Sequence, residues 1–510
     1  MNLSKEKSVN YNLVLIGVLL FIGVLVFVDI ENEFEMVATV GITVLIAFWW
    51  LTEAIPIGIT SLLPVVLFPV FGVLSGKEVS EAYINYIIFL FIGGFIMALS
   101  IQKWNLHKRM ALKILSKVGT SFFQVLFGCM LCASFLSMWI SNTASAMMMI
   151  PIVLSISNVL NENFGKKAMK KYTTSLILSI AYACSIGGVA TFVGTPPNLS
   201  FLRISGILYP EFPEISFGEW LFAAFPVSVC MLLCGAVFLY LKGKPRNINA
   251  DALSKDYFKK EYFKLGKTTS EQKRVLFVFA LMVFLWLFRK ELTIGDFVIP
   301  GWSNLFAKPN YINDGTVAIF IAFLLFLIPS SKKGKALVSW KVTKQIPWHV
   351  VFLLGGGFAI AKAFVSSGLS VFVGNQLLGL QGVSAYKLTA LAVGTITVLT
   401  EFTSNTATTE IMLPIIATVS SAIKIHPLLL MMPVTFAASM AFMLPVATAP
   451  NALVFATGKV SILEMIKIGS VLNLIAIILI VIVSVFWLPY VFDIGPLDFP
   501  EWAVIQGDSN

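Results

Sequence analysis

The sequence predicts an all-α polytopic membrane protein with about 11 transmembrane helices and two re-entrant helical hairpins, arranged as two inverted-topology repeats. Composition is the first indication, since 58% of the 510 residues are hydrophobic and only 12% are charged, far from the balance of a soluble protein. Long apolar runs separated by charged clusters are the second, whereas a membrane β-barrel would show short alternating segments. The third is a Ser-Asn-Thr triplet that occurs twice, beginning at Ser141 and Ser404, each time ten residues before a proline.

Four clusters of basic residues predict which loops face the cytoplasm. The clusters are Lys103–Lys117, Lys166–Lys171, Lys242–Arg274 and Lys332–Lys344. Residues 29–35, 209–219 and 493–510 contain no Lys or Arg and are predicted to face outward. This pattern places the N-terminus inside and the C-terminus outside the plasma membrane. The formal net charge of +10 is therefore interpreted as topology, and no nucleic-acid partner is predicted.

Ordinary crossings fit between these loops in chain order. They are predicted at Tyr11–Val28, Met36–Thr52, Gly58–Leu74, Ile84–Ile101, 172–206, Leu221–Leu241, Val275–Leu287, Ala318–Ile328, Val350–Phe372, Leu428–Phe455 and Val471–Trp487. Two longer apolar runs, Val118–Leu160 and Leu388–Ala422, each carry a triplet near the middle. The first run begins and ends at cytoplasmic clusters, so it crosses twice or re-enters. A polar triplet at the turn and Pro151 beyond it favour a hairpin entering from inside, and the second hairpin then enters from outside.

The two halves of the chain repeat each other. At a separation of 263 residues, Gly93-Gly94-Phe95 corresponds to Gly356-Gly357-Phe358, Ser137 to Thr400, and Pro151 to Pro414. After each hairpin, "GTPPN" at 194–198 corresponds to "ATAPN" at 447–451, now 253 residues apart. A lone Ser, Thr or Asn in a membrane helix commonly bonds only a nearby carbonyl. The same order of polar breaks in both halves instead indicates a secondary transporter.

The predicted irregular elements suit an anion and a hard cation. A triplet at a hairpin tip lies beside free backbone N–H groups and the positive end of a helix, where a carboxylate binds. Two facing tips suit a compact anion with two carboxylates. Carbonyls freed at the two breaks, with Ser and Asn oxygens, suit an ion such as Na⁺. No Arg or Lys lies in either triplet or either break, so neutralisation falls to dipoles, hydroxyls and co-bound cations.

Two acids distinguish the second hairpin from the first. Glu401 and Glu410 flank the second triplet, whereas the corresponding residues are Met138 and Met147. An acid at membrane depth indicates a proton or cation site. The alternative is that one or both acids reach water or form a structural pair, and the sequence leaves this open.

Catalysis finds no support in the sequence. The three histidines are scattered and match no metal-ligand spacing. No nucleophile-base constellation, Walker loop or convincing dinucleotide motif is present. The protein is predicted not to be an enzyme, and to need no cofactor other than Na⁺ as a possible coupling ion.

Four segments carry a resemblance to a known family. These are "MWISNTASAMMMIP", "GGVATFVGTPPN", "TEFTSNTATTEIMLP" and "PVATAPNALVFATG", and they resemble the divalent anion:sodium symporter family of di- and tricarboxylate carriers. The resemblance implies a homodimer in which a transport domain moves like an elevator against a scaffold. The implied scaffold comprises residues 1–83, residues 207–349 with the basic cytoplasmic loop 242–274, and a last helix with an extracellular tail at 461–510. The implied transport elements of the first repeat are residues 84–206, with the hairpin at 118–160 and the broken helix at 172–206. Those of the second repeat are residues 350–460, with the hairpin at 388–422 and the broken helix at 428–458.

The resemblance also implies two sets of site residues. Substrate contacts are implied for Asn142, Thr143, Thr195, Ser404, Asn405, Thr406 and Thr448. One sodium site is implied around Ser137, Ser141, Asn142 and Gly194, and a second around Thr400, Thr403, Asn405 and Ala447. The family is similar in fold across Na⁺ symporters and sodium-independent exchangers, so these groups do not by themselves decide the coupling.

The leading hypothesis is a secondary active transporter of C4/C5 dicarboxylates such as succinate, malate, fumarate or 2-oxoglutarate, by Na⁺ symport or by dicarboxylate exchange. A cation- or proton-coupled antiporter, or a carrier of another inorganic or tricarboxylate anion, is the alternative within transport. A membrane-embedded enzyme or an anion channel is the alternative outside it. Pairing of hairpins with broken helices disfavours a simple pore.

Overall fold

In the computed structural model the chain is almost entirely helical. The structure describes residues 9–30, 33–245, 248, 251–254, 256–294, 297–377, 379, 382–495 and 498–504. Within these ranges, six helices are long and apolar enough to cross a membrane, and five shorter apolar helices accompany them. An all-helical polytopic fold is thereby confirmed.

The described residues of the first half of the chain form eleven α-helices. They are α1 (Tyr11–Phe27), α2 (Phe34–Thr52), α3 (Ile57–Thr60), α4 (Leu63–Val70), α5 (Gly76–Tyr83), α6 (Tyr86–Lys103), α7 (Leu106–Leu115), α8 (Phe122–Ser137), α9 (Asn142–Phe164), α10 (Lys166–Gly188) and α11 (Pro196–Leu208). The predicted crossing Gly58–Leu74 is two short helices, α3 and α4. Pro64 lies in the first turn of α4, where its missing N–H and its ring prevent the α3 ladder from continuing.

In the second half, the described residues form eleven further α-helices and one small hairpin of strands, besides short 3-10 helices. They are α12 (Phe217–Gly243), α13 (Tyr257–Lys264), α14 (Ser270–Leu287), β1 (Leu292–Ile294), β2 (Phe297–Ile299), α15 (Asp314–Leu327), α16 (Trp348–Ser366), α17 (Leu369–Gln376), α18 (Ala385–Phe402), α19 (Asn405–Ala422), α20 (Leu428–Ala438), α21 (Ala449–Phe455) and α22 (Ile462–Phe492). Strands β1 and β2 pair antiparallel. The predicted crossing Val350–Phe372 bends at Gly368, which adopts φ of 74° between α16 and α17.

The two predicted hairpins are helix pairs with very short tips. Residues 138–141 join α8 to α9, and residues 403–404 join α18 to α19. Each second helix begins inside the triplet, at Asn142 and at Asn405. Short polar tips of this kind are tolerated at membrane depth only where protein or a water-filled cavity covers them.

The two predicted broken helices have unwound segments in their middles. Residues 189–195 separate α10 from α11, and residues 439–448 separate α20 from α21. In both cases proline occupies the first turn of the second half, where it costs no hydrogen bond and favours helix initiation. The carbonyls left free in each break become available to other groups.

The loops predicted to share a side of the membrane do contact each other. Arg109 donates to Leu265 O (3.1 Å) and Gly266 O (2.9 Å), and Lys103 donates to Leu337 O (2.7 Å), so three basic clusters meet. At the other end Trp502 of the C-terminal tail packs on Tyr209 with ring centroids 5.6 Å apart. Three of the four basic clusters therefore contact one another, and the C-terminal tail contacts the segment 209–219.

Helix packing places the hairpins and broken helices together. Helix α10 packs against α8, α9 and α12, and α22 packs against α12, α18 and α20. Helix α11 lies between α19 and α16, and α6 packs closely along α15. The irregular segments therefore meet in the middle of the protein, with α16 and α6 beside them.

Candidate functional site

The two hairpin tips and the two breaks surround one cavity of about 880 Å³. Four helices begin at this cavity: α9, α11, α19 and α21. The lining includes every predicted substrate-contact residue: Asn142, Thr143, Thr195, Ser404, Asn405, Thr406 and Thr448. Lys and Arg are absent from the described residues that line it. Positive helix ends and polar side chains are thus the groups facing a ligand here.

The residues that precede these four helices differ in whether their hydroxyl groups accept a hydrogen bond from the first turn. The Ser141 hydroxyl accepts from the Ala144 N–H (3.4 Å), and the Thr448 hydroxyl accepts from the Asn451 N–H (3.2 Å). Thr195 and Ser404 make no such bond to their own helices. The N–H groups that begin α19 are therefore free of a side-chain cap and can donate to an anion. Helix α11 begins with Pro196 and Pro197, which have no N–H, so it offers only the positive end of its dipole.

The first triplet is packed into a cluster of oxygens. One terminus of the Asn142 amide lies 2.5 Å from Ser137 Oγ, 3.1 Å from Cys184 O and 3.3 Å from Gly194 O. An NH₂ group at that position would donate to these oxygens, whereas the amide oxygen would complete an all-oxygen set. Such a set is the chemistry that a hard cation such as Na⁺ requires.

The second triplet repeats part of this arrangement. Thr400 Oγ1 lies within hydrogen-bond distance of Asn405 Oδ1 (2.8 Å) and Ala438 O (2.6 Å), and its single proton is shared between these two acceptors. Ser137 bonds Asn142 in the same way at the first tip (2.5 Å). Thr403 bonds Thr408 and donates to Leu399 O (3.0 Å). The oxygens at this tip are therefore already engaged with each other, but they remain close enough to share a cation.

The predicted cation-site residues fall into two groups by position. Those that line the cavity are Ser141, Asn142, Gly194, Thr403, Asn405 and Ala447. Ser137 and Thr400 lie behind the two asparagines and are fully buried. All ligands in both sets are neutral oxygens, and no cluster of His, Cys, Asp or Glu suited to a metal is found among the described residues. The donor sets fit Na⁺ better than a transition metal.

Each break is held open by one buried asparagine. The Asn198 Nδ2 donates to Thr191 O (2.7 Å), Val189 O (3.1 Å) and Gly188 O (3.2 Å). In the second break the Asn451 Nδ2 donates to Leu444 O (3.0 Å) and Ala441 O (3.1 Å). Leu444 and Ala441 correspond to Thr191 and Gly188 at the separation of 253 residues seen in the sequence. The amides thus satisfy carbonyls that the missing helical turns leave unpaired.

Two residues important to the first tip escaped the sequence reasoning. Gly188 ends α10, and a Cβ there would lie 2.7 Å from Asn142 Oδ1 and 3.1 Å from Gly194 O. Cys184 contributes its carbonyl, one turn earlier. The pairing of Gly188 and Gly194 with Ala441 and Ala447 was readable in the sequence, but its meaning required the contact with Asn142.

The structure separates the two acids of the second hairpin from the cavity lining. Both are buried, Glu401 against the second break and Glu410 against α11, where Glu410 Oε1 accepts from Ser200 Oγ (2.5 Å). Neither lines the cavity. Met147, the counterpart of Glu410, does line it and is 52% exposed. Equivalent positions in the two hairpins thus face different surroundings, and neither acid reaches water at the cavity.

Sequence comparison extends this local evidence to the whole chain. The family model for the sodium:sulfate symporter transmembrane region matches residues 6–494. The chain belongs to the divalent anion:sodium symporter family. A sodium-dependent dicarboxylate transporter, SdcS, of Staphylococcus saprophyticus is 41% identical over 504 residues, covering 96% of this chain and 95% of that protein. SdcS of Staphylococcus aureus is 41% identical over 490 residues, covering 94% and 91%.

Structural comparison supports the fold of this divalent anion:sodium symporter family member. The solved structure of MtrF of Neisseria gonorrhoeae, described as one of a class of antimetabolite efflux pumps, matches with a TM-score of 0.57. It covers 93% of this chain and 97% of MtrF at 12% identity. At that identity the likeness concerns the fold alone. The two relatives at 41% identity are named as transporters, and the matching family model describes the transmembrane region of symporters.

Proposed function

We propose that this protein is a secondary active transporter that moves C4/C5 dicarboxylates such as succinate, malate, fumarate or 2-oxoglutarate by symport with Na⁺. The observation that carries the proposal is the convergence of four helix N-termini and two Ser-Asn-Thr triplets on one cavity, whose described lining residues include no lysine or arginine. Two hairpin tips offer two carboxylate receptors. The names of the 41% identical relatives, sodium-dependent dicarboxylate transporters, support the same substrate and ion.

Sodium ions solve the charge problem that the cavity poses for a dianion. Helix ends contribute about half an elementary charge each and are shared among several groups. Cations held by Ser137, Asn142 and Gly194, and by Thr400 and Asn405, would add positive charge directly behind the two tips. Substrate affinity would then depend on Na⁺, which is the thermodynamic basis of symport.

The cavity leads toward the end of the molecule that carries the basic clusters. Its lining includes Glu53 at the end of α2, Gln102 next to Lys103, and Gln345 next to Lys344. With the N-terminus and the basic loops in the cytoplasm, this conformation is inward-facing. Positive-inside sorting of the loops supports that orientation.

Alternating access is proposed to occur by an elevator movement of the hairpins and broken helices in a homodimer. Helices α12 and α22 pack mainly on α10, α18 and α20, so we include them in the moving unit rather than in the scaffold. Helix α16 packs tightly on the second hairpin, where Gly357 leaves no room for a Cβ beside Glu410, in keeping with both belonging to the transport elements. Transport of this kind requires no catalytic step.

The test is uptake of labelled succinate into proteoliposomes that contain the purified protein. Uptake is expected to require an inward Na⁺ gradient and to fail when K⁺ replaces Na⁺. Uptake driven equally well by internal unlabelled dicarboxylate without Na⁺ would show exchange instead of symport. Absence of succinate uptake under every condition would refute the dicarboxylate assignment for that substrate.

Residue-level tests use the two triplets. Asn142→Ala and Asn405→Ala are each expected to reduce uptake to background, because each amide both faces the cavity and bonds the group behind the tip. Membrane insertion and gel-filtration behaviour in detergent should stay as in the wild type. Normal uptake by both variants would contradict the proposed site.

A further inference from the structure

Glu401 occupies an unusual position for an acid in a membrane protein. It lies in the last turn of α18 and is 2% exposed. Its Oε1 accepts from the N–H groups of Phe442 (2.7 Å) and Met443 (3.0 Å), and its Oε2 accepts from Met443 (3.0 Å) and Leu444 (3.0 Å). Three successive N–H groups of the unwound chain thus converge on one carboxylate, as they do around a bound anion.

A fourth donor ties this carboxylate to another helix. The Asn473 Nδ2 on α22 donates to Glu401 Oε1 at 2.7 Å. Asn473 is 6% exposed, so this contact is also shielded from solvent. One side chain therefore joins the second hairpin, the second break and the last helix. Charge-assisted hydrogen bonds of this kind are the strong ones, and they fix the geometry of the groups they join.

The first repeat makes the same connection with a different group. There, the Thr191 hydroxyl in the first break donates to the Met138 carbonyl at the end of α8 and accepts from the Gly194 N–H (3.1 Å). Met138 corresponds to Glu401, and Thr191 corresponds to Leu444, at the two separations read from the sequence. In the first repeat the bridging side chain, Thr191, belongs to the break. In the second repeat the bridging side chain, Glu401, belongs to the hairpin.

The connection lies between the two parts of the second candidate cation site. Thr400, which precedes Glu401, bonds Asn405. Leu444, held by Glu401, accepts from the Ala447 N–H (3.2 Å) through its carbonyl. Holding the segment 442–444 therefore sets the distance between the hairpin oxygens and the carbonyls of the break.

We propose that Glu401 is the positioning residue of the second cation site, holding the unwound segment 442–444 against the hairpin as Thr191 holds the first break. It acts through the backbone and need not contact the ion or the substrate. This inference rests on the proposed Na⁺ coupling for its consequence, but its geometric part stands independently of that coupling.

The first measurement is amide hydrogen exchange of the purified full-length protein in detergent. Glu401→Met places at position 401 the residue type found at 138 and removes the acceptor for all four donor groups. The backbone amides of residues 442–444 are expected to exchange at least about tenfold faster than in the wild type. This factor corresponds to the loss of one charge-assisted hydrogen bond at each opening of the segment. Amides 189–195 in the first break serve as the internal control and should exchange as in the wild type.

The second measurement is the Na⁺ concentration that half-saturates thermal stabilisation without substrate, with K⁺ as the ionic-strength control. Glu401→Met is expected to raise this half-saturating Na⁺ concentration at least about tenfold. The Na⁺ concentration required for succinate uptake should rise in parallel. The uptake rate at saturating Na⁺ should change less. Adding Leu444→Thr restores a bridging hydroxyl at the position equivalent to Thr191. The double variant is expected to recover part of the Na⁺ response, which a purely destabilising substitution would not allow.

The outcomes are distinguishable. Glu401→Gln keeps the side-chain volume and one acceptor oxygen. If Glu401→Met does not fold, the same two measurements are made on Glu401→Gln. Unchanged exchange at 442–444 in the variant that folds would overturn the positioning role, as would an unchanged Na⁺ response accompanied by faster exchange. A wild-type protein with no Na⁺ response would refute the proposed coupling, while the exchange result would still report whether Glu401 holds the break.

Discussion

Replacing Gly188 by alanine tests the geometry of the first tip with a single methyl group. The new Cβ would lie 2.7 Å from Asn142 Oδ1 and 3.1 Å from Gly194 O, where ordinary contacts begin near about 3.4 Å. The Asn142 amide or the Gly194 carbonyl would therefore have to move by several tenths of an ångström. Cation sites tolerate ligand shifts of only about 0.2 Å.

The expected size of the effect follows from this overlap. Overpacking a close-packed interior by one methyl group costs about 1–3 kcal/mol, and this cost falls on the two groups assigned to the first cation site. Expressed as affinity, it corresponds to about a 5- to 150-fold increase in the half-saturating Na⁺ concentration. Substrate affinity should fall with it if the ion and the dicarboxylate bind cooperatively.

The assay is a Na⁺ titration of thermal stability of the purified protein, repeated as Na⁺-dependent succinate uptake in proteoliposomes. Gly206→Ala is the matched control, because a Cβ at Gly206 in α11 meets nothing within 4 Å. It should keep the wild-type Na⁺ dependence. A Gly188→Ala protein with wild-type half-saturation in both assays would refute the assignment of Asn142 and Gly194 to a cation site.

Four further substitutions test charged and titratable side chains. Glu410→Gln keeps the acceptor for Ser200 and the side-chain volume, so uptake should stay within about twofold of the wild type; a loss above tenfold would make the charge part of coupling. Arg289, with a 1% exposed side chain, lies 2.5 Å from Asp314, so Arg289→Met should cost about 3–5 kcal/mol of unfolding free energy by leaving that acid uncompensated. Lys264 is exposed, so Lys264→Ala should cause no measurable loss of stability when thermal unfolding of both purified variants is compared with that of the wild type. Burial lowers the pKa of His426 to about 4, below its ordinary value of about 6.5, so stability present at pH 7 should decline as pH falls from about 6.5 toward 4, and His426→Gln should flatten that decline; identical pH profiles would contradict it.

Much of the site was predictable because local rules place its parts. Proline in the first turn, with Thr before it, marks where α11 and α21 begin, and Ser404 marks where α19 begins, whatever the rest of the chain does. The lysine clusters predicted which loops meet, since translocation sorts charge loop by loop. From these signals alone the two tips and two breaks could be assigned to one proposed site, and in the structure both triplets line one cavity.

The sequence by itself determined where the helices break and which polar groups lie at the breaks, because capping and proline effects act within a few residues. Tertiary packing alone decided what those groups touch. Glu401 and Glu410 look alike beside one triplet, yet one bonds three amides about 40 residues further along the chain and the other bonds Ser200 on α11. Gly188 is one of several glycines in the sequence, and only the approach of α10 to the first hairpin makes its missing Cβ necessary to Asn142. Contacts between distant segments depend on how whole helices pack, and that is information that no short stretch of sequence contains.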